Sequence, residues 1–409
     1  MSFLRDLRSV LNLTVIVAGL GYFVDLFDIA LFGVVRGASL KDIGVTEPGA
    51  ILNSGIFIYN CQMIGMMVGG LAWGVLADKR GRLPVMFASI LLYSFANIAN
   101  AFVWDVPSYA LCRFLGGLGL AGELGAAITL VAESLPKEKR GLGTMVVATL
   151  GMLGIATAAL AGQVLHWKTA YLVGGVMGLV LLFARFRLAE SALFIRKHNP
   201  ALVKPSLLLR NGRFSKYVCC ILVGVPNFFI TGVVFTFSPE ITAGLKVEGP
   251  VIVGIVILFG SIGLAVGDLV AGSLSQVLKS RKRAVALHLV AGFALMLVYF
   301  LVPGLTSKRV YAMSVLLGIS VGYWAVLITI AAEQYGTNIR ATVATTVPNF
   351  VRGSAAVATS AFAYMKGHMP VSTAALSVGV VCFSLALLAL LRLDETFHRD
   401  LDYEEGSKG

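Results

Sequence analysis

Apolar runs of about 20 residues follow one another along this chain, separated by short polar stretches. A helix advances about 1.5 Å per residue, so a run of that length spans the hydrocarbon core of a bilayer. The pattern predicts twelve helices, over residues 11–35, 51–76, 84–103, 109–134, 141–164, 169–186, 217–239, 250–276, 284–303, 309–335, 341–365 and 371–392. The fold class expected is an all-α polytopic membrane protein with twelve transmembrane helices in two six-helix bundles. Residues 1–186 form the first bundle and 217–392 the second, joined by a basic linker over 187–216 and followed by a tail over 393–409.

Charge adds the orientation. With the N-terminus inside, 24 of the 33 Lys and Arg residues fall on one side, seven on the other, and Arg113 and Arg352 lie within spans. Such an excess marks the cytoplasmic face. Linker, tail and both termini are therefore expected in the cytoplasm, with the chain multi-pass in a plasma (bacterial inner) membrane. Only 13% of residues are charged and 57% are hydrophobic, against about 25% charged in ordinary globular domains. The net charge of +12 then reports loop placement, and no nucleic-acid partner is expected. Cys61, Cys112, Cys219, Cys220 and Cys382 all fall in apolar runs without CxxC spacing. They read as packing residues, and no metal site is expected. MSFLRDLRSV leads straight into a span without a small-residue cleavage site, so no removable signal peptide is expected. No segment outside the membrane is large enough for a catalytic core, and no nucleophile or cofactor motif is present. An enzyme is excluded. The expected partners are the lipid bilayer and a small-molecule substrate, with the monomer as the functional unit.

An internal repeat crosses the linker. GELGAAITLVAESLPKEKRG (Gly122–Gly141) aligns with GYWAVLITIAAEQYGTNIRA (Gly322–Ala341) at a shift of 200. The shift matches Gly122 with Gly322, Thr129 with Thr329, Glu133 with Glu333 and Arg140 with Arg340, while RLAES (187–191) echoes RLDET (392–396). Parallel repeats of six helices suggest two bundles rocking about a site between them.

GVLADKRGRL (Gly74–Leu83) resembles the Gly-x-x-x-Asp-(Arg/Lys)-x-Gly-Arg loop of the major facilitator superfamily, in its place between spans two and three. Asp78 suits a helix end, Arg80 and Arg82 supply charge, and Gly74 and Gly81 permit close packing and a tight turn. RFLGGLGLAGE, AESLPKEKRG, RLAES, AAEQYGTNIRA and RLDET together resemble the sugar-porter branch and the related metabolite:H⁺ symporters. Ala189 and Asp394 stand where those branches have proline, and the Gly122–Glu123 pair leans toward the metabolite symporters. The resemblance implies alternating-access transport on a 6+6 pseudo-twofold fold, coupled to protons and without a cofactor. It implies gating latches at Glu133–Arg140 and Glu333–Arg340, forming cytoplasmic ion pairs between the bundles in the outward-open state and releasing in the inward-open one. It also implies a proton-linked pair between an Asp of span one and an Arg of span four. The stretch DIALFG makes Asp28 the matching residue and Arg113 its partner.

Bare charges deep in a bilayer cost about 2.5–3.5 kcal/mol on insertion scales, so they persist when paired, hydrated or protonated. Asp28 falls in the outer half of span one and Arg113 near the outer end of span four, at comparable depth. Asp28 is a coupling carboxylate that takes a proton when the pair separates, or else a fixed ion pair or rim acid. Asp25, on nearly the same helix face, shares that proton or lines hydrated cavity. Glu123, ten residues beyond Arg113 and about 15 Å deeper, carries protons or meets a cationic part of the substrate. Its alternative is a protonated acid bonded to a backbone carbonyl. Arg352 lies near the midplane of span eleven and cannot discharge itself, so it binds an anion or pairs with Glu123 or another acid. Tyr59, Gln62, Asn227, Tyr323, Trp324 and Asn349 are softer candidates for a polar cavity lining. Asp268 is expected in a structural charge network. Trp167, with His166 at a loop, is expected to be an interfacial anchor. The two intramembrane arginines favour an organic carboxylate as substrate. A sugar or polyol proton symporter and a proton-coupled exporter of amphiphiles are the alternatives.

Overall fold

The computed structural model describes residues 11–80, 82–123, 135, 140–189 and 212–397. Each of the twelve expected spans overlaps helix among them, and residues 124–134 of the fourth lie outside the described residues. The first half contains α1 (Leu13–Asp42), α2 (Pro48–Arg80), α3 (Arg82–Asn100), α4 (Val106–Leu120), α5 (Arg140–Val164) and α6 (Trp167–Ala189). In the second, α7 (Arg213–Phe229) runs into a π-helical stretch, Ile230–Phe235, followed by the short α8 (Ser238–Gly244). Then come α9 (Val253–Val277), α10 (Arg281–Leu301), α11 (Ser307–Val321), α12 (Trp324–Glu333), α13 (Thr337–Met365) and α14 (Val371–Arg392). Nine stretches among the described residues are helical, long and apolar enough to cross a membrane, α11 with α12 counted as one. α13 has the length, at 29 residues, but carries the polar run TVATTVPNFVRGS.

Exposure is inverted relative to a water-soluble protein. Val164, Val277 and Leu391 are 81%, 78% and 76% exposed, while Asp25, Asp28, Gln62, Asn97, Arg113 and Glu123 are buried. Apolar side chains lose nothing by facing lipid, and polar ones must be satisfied inside. This is an all-α polytopic membrane fold.

The chain divides into two compact units, Met1–Pro200 and Ala201–Gly409. Each follows the same internal plan. In the first, α1 packs chiefly on α5, α2 on α4, and α3 on α4 and α6. In the second, α7 packs on α13 and α14, α9 on α11, and α10 on α11 and α14. Glycines permit the closest of these approaches. A Cβ on Gly65 would strike the Phe114 carbonyl and one on Gly69 the Leu118 carbonyl; Gly263 and Gly267 meet Val315 and Ile319 in the same way. Between helices in lipid, backbone contact of this kind replaces the hydrophobic drive.

Several boundaries differ from expectation. α1 is capped by Asn12, whose side chain accepts the Val15 N–H at 2.8 Å, and it does not stop near residue 35. Arg36 is buried against Gly55 instead of ending the span, so the helix reaches Asp42. Asp28 consequently sits at the middle of a 30-residue helix, not in one half of it. The turn expected over Gly74–Leu83 is shorter, since α2 continues to Arg80 and α3 starts at Arg82. A Cβ on Gly74 of α2 would meet nothing within 4 Å among the described residues. Gly81 and Glu133 lie outside the described residues, as do the side chains of Asp78, Arg80, Arg82 and Arg140. Spans four and ten both break where the repeat aligns Gly122 with Gly322. α4 ends at Leu120 before a turn over residues 121–122, and α11 ends at Val321 before α12 begins at Trp324.

Candidate functional site

Five helices of the first unit converge on Asp28. Arg113 from α4 grips both carboxylate oxygens, Nη1 to Oδ1 at 2.9 Å and Nη2 to Oδ2 at 3.0 Å, and Nη2 also donates to the Asp28 carbonyl at 3.1 Å. Gln62 from α2 donates to Oδ2 at 3.3 Å. Asn97 from α3 accepts from Arg113 at 3.3 Å. The guanidinium lies over Phe32 of α1 and Tyr171 of α6, 5.8 and 5.4 Å from the ring centroids. Tyr59 is buried and stacks on Phe32 at 6.5 Å. Bidentate, charge-assisted contact in a dry aromatic setting gives a strong pair. Asp28 and Arg113 are 1% and 0% exposed. Beyond it, Tyr109 and Tyr171 join hydroxyls at 2.7 Å, and Ser39 meets Tyr109 at 3.1 Å. Trp167, expected at an interface, is instead buried, donates to Asp42 at 3.0 Å and stacks on Tyr109.

A second ion pair lies in the same unit. Arg185 of α6 donates to Glu123 at 2.6 Å (Nη2 to Oε2) and 3.2 Å (Nη1 to Oε1), with both side chains buried. Gly21 makes room for it: a Cβ there would stand 2.5 Å from Arg185 Nη2 and 3.0 Å from Glu123 Oε2. Both Glu123 oxygens thus accept from Arg185, so its ion-pair partner is Arg185 where Arg352 was a candidate. By sequence Arg185 falls among the 24 basic residues of the cytoplasmic side, because it stands at the end of span six. Asn97 was also missed, although Tyr93, Ser94, Asn97 and Asn100 recur at helical spacing in an apolar span.

In the second unit Arg352 is buried on α13. Several softer candidates there serve the helix break rather than an open surface. Asn227 donates to the Val321 carbonyl at 2.8 Å, Tyr323 donates to the Val223 carbonyl at 2.8 Å, and the Ala325 N–H donates to Asp268 at 3.1 Å. A helix interrupted away from water leaves backbone groups that side chains must satisfy; Asn227 and Asp268 do so here, while Tyr323 ties the break to α7. Asp268 therefore caps α12, where a loop-side charge network was expected. Trp324 packs edge-on against Phe228, and Asn349 donates to Thr345 of its own helix at 3.2 Å.

The RLDET element closes one end of this unit. Glu395 accepts from the Arg281 and Lys282 N–H groups and the Ser280 hydroxyl, capping α10. Partial burial pushes its carboxyl up, but hydrogen bonds from Ser280 and the N–H groups of Phe397, Arg281 and Thr396 outweigh this and hold it below the usual range. Glu333 pairs with Arg281 at 2.6 Å, inside its own unit. Arg340 donates to the Tyr335 carbonyl at 3.1 Å. Among the described residues no group of three or more His, Cys, Asp or Glu could hold a metal ion.

These features coincide with what sequence comparison finds. The chain belongs to the major facilitator superfamily, whose family model matches residues 18–360, and it is an integral membrane protein. It is similar to the 3-(3-hydroxy-phenyl)propionate transporter of Escherichia coli, 30% identical over 42% of this chain and 45% of that one. It is 34% identical to the niacin transporter NiaP of Acinetobacter baylyi over 39% of this chain and 36% of the relative. With the 4-hydroxybenzoate transporter PcaK of Pseudomonas aeruginosa the figures are 32%, 43% and 40%. The chain thus spans less than half the length of these curated relatives it matches. Each of their names describes a transporter, none an enzyme.

Proposed function

We propose that the chain is a secondary active transporter that carries a small organic carboxylate across the membrane by alternating access, as a proton symporter. The observation that carries the coupling is the buried Asp28–Arg113 pair. Arginine keeps its proton at any working pH, so the carboxylate is the member that changes state. Protonating Asp28 removes the charge that Arg113 grips. The pair then loosens, and the proton shifts the balance of conformations by its preference for one of them. No cofactor takes part; H⁺ is the coupling ion.

The carboxylate class is supported by the three relatives, each named for an aromatic carboxylate. It is supported also by Arg352, buried in α13, whose planar fork matches a carboxylate. A sugar or polyol has less support, because Asn227, the one amide of α7, is spent on the Val321 carbonyl. The lysine and arginine asymmetry supports a plasma (bacterial inner) membrane with both termini in the cytoplasm. The working unit is the monomer, with bundles over 1–186 and 217–392.

Counterflow into proteoliposomes loaded in turn with aromatic carboxylates, sugars and amino acids tests the substrate. Uptake of carboxylates is expected, and uptake confined to the other classes would overturn this assignment. Asp28→Asn is expected to abolish pH-driven accumulation while sparing exchange. Unchanged accumulation would refute the coupling role.

A further inference from the structure

Two side chains hydrogen-bond the Asp28 carboxyl. Arg113 gives Nη1 to Oδ1 at 2.9 Å and Nη2 to Oδ2 at 3.0 Å, and Gln62 gives Nε2 to Oδ2 at 3.3 Å. All three contacts are donors, which suits a carboxylate. A carboxylic acid has the opposite need, because its own O–H must find an acceptor. A guanidinium has none to offer, and the Asn97 oxygen is already bonded to Arg113 at 3.3 Å. That leaves Gln62.

Gln62 holds such an acceptor in reserve. Its side chain is fully buried, and its Oε1 has no hydrogen-bond partner among the described residues. A buried amide oxygen left idle is destabilising, so packing alone gives no reason for glutamine here. A half-turn of the amide exchanges Nε2 and Oε1 with almost no change of shape and brings the oxygen opposite Oδ2. In either orientation one end is bonded and the other idle, so the turn exchanges one contact for another. The backbone beneath it is fixed: a Cβ on Gly117 of α4 would stand 2.2 Å from the Gln62 carbonyl, which holds this level of α2 against the helix that carries Arg113. Arg113 also keeps partners once Oδ2 is protonated, Oδ1 through Nη1 and the Asp28 carbonyl, at 3.1 Å, through Nη2.

The charged and titratable groups around the pair are Arg113 and Tyr109 from α4, Tyr171 from α6, Tyr59 from α2, Tyr93 from α3 and, on α1 itself, Asp25, all of them buried. From α5, the chief neighbour of α1, the sole charged residue is Arg140 at its first position. We infer that Gln62 is the positioning residue for the coupled proton: its amide donates to the Asp28 carboxylate and turns over to accept from the carboxylic acid. This rests on the proton-coupled reading above. A proton from water bonds to Oδ2, Gln62 neither gains nor loses one, and release reverses the turn. Each protonation state of Asp28 is thereby hydrogen-bonded inside a site that water does not reach.

Infrared difference spectroscopy of the full chain in lipid bilayers, with isotope-labelled glutamine and pH jumps between about pH 4 and pH 9, tests this without a substrate. Wild type is expected to show a protonated-carboxyl band that Asp28→Asn removes. With it, a glutamine amide carbonyl band should shift to lower frequency on acidification, as that oxygen begins to accept, and in Asp28→Asn the shift should be lost. Gln62→Met keeps the bulk of the side chain; it should remove the amide shift and move the Asp28 carboxyl band to higher frequency, its O–H having lost the acceptor. The comparison of wild type with Asp28→Asn decides the matter even where Gln62→Met fails to fold. An Asp28 band that appears while every glutamine amide band stays in place, or that keeps its frequency in Gln62→Met, overturns the role of Gln62 alone. Absence of any band sensitive to Asp28→Asn overturns the coupling reading and the role of Gln62 together.

Discussion

Arg113→Met tests the pair at the centre of the first unit. Methionine keeps much of the length of arginine but removes every donor. The variant loses contacts of 2.9, 3.0 and 3.1 Å to Asp28, one of 3.3 Å to Asn97, and the stacking on Phe32 and Tyr171. Removing one partner of a buried ion pair costs about 3–5 kcal/mol, mainly because the other charge is left behind. Protonation of Asp28 relieves that cost. Unfolding free energies from SDS titration in mixed micelles should put the variant about 3–5 kcal/mol below wild type near pH 8. Asp28→Leu/Arg113→Met should recover most of the loss, since no charge remains to be desolvated. Wild-type stability near pH 8, or a double variant as weak as the single one, would show that charge is not what the site manages.

Three further outcomes follow from other parts of the molecule. Glu395→Gln should cost about 1 kcal/mol through a weaker cap on α10. Its folded titration lies below the ordinary value of 4.5, so wild type holds the advantage above that pH and loses it as the pH falls through the folded value. Urea or SDS titrations at several pH values should show the two proteins converging in acid. Gly65→Val should cost about 3 kcal/mol or more, since even a Cβ would overlap the Phe114 carbonyl and the backbones must part; the yield of monodisperse protein and its thermal stability report this. Asp268→Ala should destabilise by about 1–3 kcal/mol by orphaning the Ala325 N–H at the break, whereas Asp268→Asn, which keeps an acceptor, should retain most of the stability in the same assay.

Much of the fold was legible in the chain because lipid imposes one strict rule on it. Backbone groups must bond within their own segment, so each crossing declares itself as a helix-length apolar run. The repeat at a shift of 200 likewise marked Gly122 and Gly322, where spans four and ten break. Asp28 and Arg113 could be named because a charge inside an apolar run stands out wherever its partner lies. Arg185 could not. It sits at the edge of a run, where snorkelling to water and pairing inside the bundle leave the same trace in the chain. Asn97 was hidden for a related reason: a lone amide in a span is cheap enough to be packing.

The chain by itself determined how many helices cross, where charge is concentrated and which acids need a partner. All of these depend on the free energy of moving one segment from water into lipid. Which groups meet was decided only by the tertiary structure. Arg185 meets Glu123, Arg281 meets Glu333, and Asn227 is spent on a broken helix. Those choices depend on which helices are neighbours and how close glycines let them come, and spacing along one helix carries no record of the next.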